Sequence, residues 1–226
     1  MASPDEPVTI EVDATTSVSG LLQRSQHARA CLLLAHGAGA GMRHPFMSSV
    51  AKELDALGIA TLRYQFPYME KRSRRPDPPP RCHATVRAAV NTARSLAPGL
   101  ALFAGGKSFG GRMTSQAQAL APLGDVRGLV FLGFPLHAPG KPSDERAEHL
   151  FKIEIPMLFL QGARDEFATL ELLEPLVTRL GARVTLQLVA DADHSFHVPA
   201  RTGRTDAQVR SELLQRLSAW IESLLR

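Results

Sequence analysis

The chain has only two cysteines among its 226 residues, Cys31 and Cys82. That is too few for a disulfide framework, and neither belongs to a Cys-x-x-Cys pair or a Cys/His cluster of the kind that holds structural zinc. Aromatic residues are sparse at 6%, with a single tryptophan. The basic residues are not interleaved with aromatics in any nucleic-acid-binding motif. No apolar run approaches the roughly 18 residues that span a bilayer. Residues Met1 to Asp13 carry neither a basic n-region nor an apolar h-region. The expectation is therefore a protein that stays where it is made, in the cytoplasm, with no nucleic-acid or membrane partner. The net charge of +4 is local rather than global. Lys71, Arg72, Arg74, Arg75 and Arg81 crowd one proline-rich stretch, which reads as a solvated charged loop.

What is present is a globular composition, 44% hydrophobic, enough for one sizeable core. Short apolar runs alternate with longer amphipathic segments along the chain. Val8–Val12 and Val18–Leu22 read as a first pair of strands. Cys31–Ala35, Ile59–Tyr64, Leu100–Ala104, Gly128–Leu132, Met157–Leu160 and Val184–Val189 follow as further strands. Cys31–Ala35 is a continuous apolar run, as expected of a strand buried on both faces, whereas Val184–Val189 alternates. Helical spacing appears at Phe46, Val50, Leu54 and Leu57, at Val86, Val90 and Ala93, over Phe109–Leu120 and Leu170–Leu180, and at Leu213, Leu217, Trp220 and Leu224. From Gln65 to Pro80 no period survives, and Pro76, Pro78, Pro79 and Pro80 predict an irregular loop. Strand–helix alternation predicts an α/β fold. It is one domain over residues 1–226, with about eight mostly parallel strands, helices on both faces, and the first two strands antiparallel at one edge.

The chemistry concentrates at strand ends. Gly106-Lys107-Ser108-Phe109-Gly110 carries a Gly-x-Ser-x-Gly pattern between a predicted strand and a predicted helix. Its bland reading is a glycine-rich turn. Its functional reading is a sharp elbow that aims the serine oxygen outward, at the N–H-rich start of a helix. A serine nucleophile needs a base, and the base an orienting carboxylate, in the chain order Ser, acid, His. Asp165 follows the strand Met157–Leu160, with Glu166 as its competitor. His194 follows the last strand, with His197 as the alternative. For an oxyanion hole, the backbone N–H of Phe109 pairs with one from His36-Gly37-Ala38-Gly39-Ala40-Gly41. Ala38 is preferred, with Gly37 and Gly39 able to take its place. That loop lacks the Lys-Ser/Thr of a P-loop and the third glycine of a dinucleotide fingerprint.

Taken together, six segments resemble a dienelactone-hydrolase-like branch of the α/β-hydrolases. They are residues 36–42 (HGAGAGM), 63–68 (RYQFPY), 105–113 (GGKSFGGRM), 133–141 (GFPLHAPGK), 161–167 (QGARDEF) and 193–197 (DHSFH). That branch includes bacterial proteins of unassigned substrate, a testis-expressed hydrolase-like protein and a subunit of the nonspecific-lethal histone acetyltransferase complex. The resemblance implies the α/β-hydrolase fold and a triad of Ser108, Asp165 and His194. A serine stands where dienelactone hydrolase proper has cysteine. Phe66, Tyr68 and Phe134, with Pro67, either form an apolar substrate wall or belong to the core. His137 either lines the site or satisfies a backbone carbonyl. The segment between Phe134 and Ile155, where larger relatives carry a cap, is short, so the site is expected to be open, in part roofed by the loop Lys71–Arg81. The expected activity is hydrolysis of a small acyl ester or thioester, with no metal and no organic cofactor. A non-catalytic scaffold on the same fold is the other reading.

Overall fold

The computed structural model describes residues 3–226. Eight strands form one sheet: β1 (Glu6–Asp13), β2 (Thr16–Gln23), β3 (Ala30–Ala35), β4 (Ile59–Tyr64), β5 (Ala101–Lys107), β6 (Val126–Leu132), β7 (Met157–Gly162) and β8 (Val184–Val189). Their order is β1-β2-β4-β3-β5-β6-β7-β8. β1 pairs antiparallel with β2, and β2 antiparallel with β4; every pairing from β4 onward is parallel.

The helices are α1 (Pro45–Ala56), α2 (Pro67–Glu70), α3 (Pro79–Leu96), α4 (Phe109–Leu120), α5 (Leu170–Leu180) and α6 (Asp206–Ser223). Strand side chains alternate between two cores, as the pleat requires. Leu32, Phe103, Val130 and Leu158 point to one face, where Val50 and Leu54 of α1 and Leu213 and Leu217 of α6 cover them. Cys31, Ala104, Phe131 and Phe159 point to the other, under Val86 of α3, Met113 of α4 and Leu173 of α5. Both faces of the central strands are therefore dry, which is why β3 reads as an unbroken apolar run. Both cysteines are buried and unpaired. Among the described residues no helix is long and apolar enough to cross a membrane.

Three stretches differ from the sequence reading. The Gln65–Pro80 segment is not wholly irregular: Pro67 opens the short α2, and α3 begins at Pro79. Prolines lack only an N–H that the first helical turn cannot use, so Pro79 and Pro80 start this helix. β5 runs three residues past Ala104, through Gly105, Gly106 and Lys107. A 3-10 helix over Glu145–Lys152, unforeseen, fills the short segment after β6.

A buried histidine, His36, and a half-buried one, His149, give the fold an acid dependence. Burial pushes His36 and His149 each down to about 4. The unfolded chain takes up these protons near the ordinary histidine pKa, before the folded one does. Stability from both is thus complete above about pH 6.5 and is lost as the pH falls through about 4. Denaturant unfolding at pH 7, 5.5 and 4.5 should show a declining free energy, with proton uptake on unfolding approaching two. A pH-independent midpoint across that window would contradict it.

Candidate active site

In an open parallel sheet, ligands gather at the carboxyl ends of strands, where neighbouring connections leave in opposite directions. Here that point lies between β3 and β5, since β3 leads to β4 on one side while β5 continues the sheet on the other. The loop Gly37–Ala40 and the residue Ser108 emerge there side by side.

Ser108 sits directly after β5, at φ 49° and ψ −114°, and α4 begins at the next residue. A positive φ is strained for any residue but glycine. The turn is tight enough that Gly106 and Gly110 have no room for a side chain. A Cβ on Gly106 would lie 2.4 Å from the Ala35 carbonyl oxygen, and one on Gly110 2.6 Å from those of Ala35 and His36. The Ser108 N–H donates to the Leu132 carbonyl at 3.1 Å, fixing the elbow to β6.

The loops after β7 and β8 bring two further side chains to this elbow. His194 Nε2 is 2.8 Å from Ser108 Oγ, and His194 Nδ1 is 2.7 Å from Asp165 Oδ2. The Asp165 carboxylate is fully buried, while the imidazole is partly open to solvent. The carboxylate accepts two further hydrogen bonds: Gln161 Nε2 donates to Oδ2, and the Phe167 N–H to Oδ1 at 2.8 Å. The ring of Phe167 lies over the imidazole, centroids 4.4 Å apart. The competitors lie elsewhere. Glu166 is exposed. His197 is exposed and paired with Asp206 at 2.9 Å, a bond that raises its pKa.

The donors proposed for an oxyanion are built from both sides of the elbow. Phe109 is the first residue of α4, so its N–H has no acceptor within the helix. Across the cleft, His36 Nδ1 is 2.8 Å from the Gly37 carbonyl, while His36 Nε2 accepts the Phe66 N–H at 3.0 Å. These bonds fix the neutral tautomer with its proton on Nδ1. The Gly37 carbonyl shares a peptide plane with the Ala38 N–H, so His36 orients that donor. Tyr68 holds the next peptide, donating from its hydroxyl to the Ala38 carbonyl at 2.9 Å. Replacing His36 with alanine strips partners from the half-buried Gly37 carbonyl and the buried Phe66 N–H. It is expected to cost about 3 kcal/mol of stability. In the folded fraction it should lower kcat more than it raises KM, read by denaturant titration and steady-state kinetics.

The cleft beside Ser108 has a volume of about 460 Å³. Its walls are Gly37–Ala40, His44, Phe46 and Met47 at the start of α1, Phe167, His194 and Ser195, and Lys107 reaches it beside Ser108. None of the four residues put forward as substrate contacts lines it. Phe66, Tyr68, Phe134 and His137 are all buried. Phe66 and Tyr68 brace the back of the oxyanion loop and pack against Phe109, centroids 5.6 and 6.3 Å away. Phe134 packs on Phe131 and Phe159, and its N–H donates to Gln161 Oε1 at 2.8 Å. His137 stitches two loops together, Nδ1 at 3.0 Å from the Ala138 carbonyl and Nε2 accepting the Thr169 N–H at 3.4 Å. Nor does the loop Lys71–Arg81 roof the cleft: its Lys71, Arg72, Arg74 and Arg75 are exposed, and its Asp77 accepts the Tyr68 N–H at 2.7 Å.

Residues 28–222 match the family described as alpha/beta hydrolase domain. The chain belongs to this family. Among solved structures, this hydrolase shares its fold with the dienelactone hydrolase of Anabaena variabilis, at TM-score 0.80 and 22% identity over 99% of each chain. An alpha-beta serine hydrolase homologue from Coxiella burnetii follows at TM-score 0.75 and 21% identity, covering 94% of this chain and 97% of that one. A serine hydrolase without lid from Xanthomonas campestris matches at TM-score 0.73 and 19% identity, over 96% and 94%. The fold is therefore that of the dienelactone-hydrolase-like α/β-hydrolases.

Proposed function

We propose that this hydrolase cleaves small acyl esters or thioesters through an acyl-enzyme on Ser108. The observation that carries the reading is the continuous chain of hydrogen bonds from Ser108 Oγ through His194 to buried Asp165, at 2.8 and 2.7 Å. In the first half-reaction Ser108 Oγ attacks the carbonyl carbon and His194 Nε2 takes its proton. Asp165 keeps the other imidazole proton on Nδ1 and stabilises the imidazolium as it forms. The carbonyl oxygen, now negative, accepts the Phe109 and Ala38 N–H groups. His194 then returns its proton to the leaving alcohol or thiol. In the second half-reaction water attacks the acyl carbon, His194 again carries the proton, and the free acid leaves with Ser108 restored.

The cleft limits the substrate. A volume of about 460 Å³ lined by Phe46, Met47 and Phe167 suits a small, mainly apolar acyl group. Two of the structural neighbours carry serine hydrolase in their names, which accords with this chemistry. The test is labelling with a fluorophosphonate, which phosphonylates only an activated serine. The expected result is one label per chain, mapped by peptide mass to the segment holding Ser108. A folded protein that takes no label, or takes it elsewhere, would refute the reading.

A further inference from the structure

The elbow pattern leaves the position between Gly106 and Ser108 unspecified, and here it holds a lysine whose side chain turns inward. Lys107 Nζ donates to the carbonyl oxygen of His194 at 2.6 Å and lies 5.6 Å from the centroid of the Phe196 ring. Gly133, after β6, leaves it the room. A Cβ there would stand 3.0 Å from Nζ, 3.3 Å from the His194 carbonyl oxygen and 3.4 Å from His194 Cε1. One ammonium thus occupies the junction of the elbow, the loop after β6 and the loop that carries the imidazole.

That last loop needs holding. Asp191 and Phe196 flank His194 at φ 60° and 63°, backbone that side chains other than glycine rarely adopt. Asp193 and His197, and Phe196 and Asp193, bond to one another at 3.0 Å, which closes the loop on itself. The Ala192 carbonyl accepts the Arg164 N–H at 2.9 Å, which ties the loop to the segment after β7. Apart from the imidazole itself, the bond from Lys107 is the one among the described residues that joins this loop to the nucleophile's strand.

We propose that Lys107 is a positioning residue for the base: by gripping the His194 carbonyl it holds the imidazole within hydrogen-bonding reach of Ser108. The inference rests on the reading of Ser108 and His194 as nucleophile and base. Ionisable groups facing the ammonium are Asp165, after β7, and Asp193 and His194, after β8; Gly37 and Gly133, its contacts from the remaining two loops, carry none. Burial lowers the Lys107 pKa to about 8, against the opposing pull of the two carboxylates. Below that pH the grip is a charge-assisted hydrogen bond; above it a neutral amine makes a bond roughly half as strong.

The experiment compares wild type, K107M and K107R from pH 6 to 9.5. It reads the fluorophosphonate labelling rate, and kcat and KM on p-nitrophenyl acetate. K107M is expected to lower kcat about 10- to 100-fold, the scale of a misplaced catalytic group, with KM within about threefold. Wild-type kcat should decline above about pH 8. K107R, which stays charged, should keep most of the rate and lose the decline. Folded K107M with kcat within about twofold of wild type would overturn the inference. So would K107R as slow as K107M, or the same alkaline decline in K107R as in wild type. Should K107M fail to fold, the wild-type and K107R profiles decide alone: a wild-type plateau to pH 9.5 overturns it. A wild type that takes no label refutes the Ser108 reading and this inference with it. A labelled wild type with indifferent Lys107 variants refutes this inference alone.

Discussion

Alanine at Ser108 or at His194 is expected to reduce ester turnover by about 10⁶-fold, leaving only what the oxyanion donors and binding contribute. The two losses should be nearly equal, and the double substitution little worse than either. The serine without its base is an ordinary alcohol, and the base without the serine has no proton to take. Their 2.8 Å contact makes them one functional unit. Asparagine at Asp165 should cost about 10⁴-fold, less than either. With its one carbonyl oxygen held by the Phe167 N–H, the amide turns its NH2, a donor, toward Nδ1, so the imidazole carries its proton on Nε2, facing Ser108, and ceases to be a base. The buried Asp165 also takes donors from Gln161 and Phe167. Part of the asparagine effect should therefore appear as lost stability, separable by measuring unfolding alongside kcat. Turnover by folded S108A within about tenfold of wild type would place the chemistry elsewhere.

Much of this arrangement was legible in the sequence, for a physical reason. A parallel sheet covered on both faces leaves little room for polar side chains in its central strands, so β3, Gly128–Leu132 of β6 and Met157–Leu160 of β7 stand out as apolar runs. Ser108 and Asp165 follow β5 and β7, His194 follows the alternating edge strand β8, and parallel strands bring all three loops to the carboxyl end of the sheet. The substrate wall was less legible. Phe66 and Phe134 follow strand ends as expected and Tyr68 lies in α2, yet the chain turns all three rings into the core. Nothing in a local pattern says which way a side chain points once the strand period stops. The cleft wall instead comes from His44, Phe46 and Met47, distant in sequence from the elbow and positioned by the docking of α1. The bracing roles of His36, Gln161 and Lys107 were hidden too, because each acts through a backbone group or a carboxylate that only the fold brings near. The start of α3 was missed because a run of prolines reads as a breaker, although at Pro79 and Pro80 it opens a helix.

Alanine at Gly110 tests how closely the elbow is packed. The added Cβ would stand 2.6 Å from the carbonyl oxygens of both Ala35 and His36 and 2.7 Å from the Ala35 carbonyl carbon. All three are backbone atoms of β3 and its loop, so no side chain can swing aside. The clash is relieved only by moving the start of α4 off β3, which also shifts Ser108 and the Phe109 N–H from the cleft. The expected cost is about 3 kcal/mol or more, at the upper end of overpacking. For a chain of this length that lowers Tm by roughly 6–12 °C. Gly106→Ala, with its Cβ 2.4 Å from the Ala35 carbonyl oxygen, should behave alike. Gly39→Ala is the control, since a Cβ there meets nothing within 4 Å and stability should hardly change. Thermal unfolding and fluorophosphonate labelling of the three variants separate the effects. G110A should melt early and label slowly even well below its Tm, because the folded state that remains has a displaced elbow. If G110A instead matches wild type in both, the contact between α4 and β3 is looser than these distances require, and the strain at Ser108 is not enforced from that side.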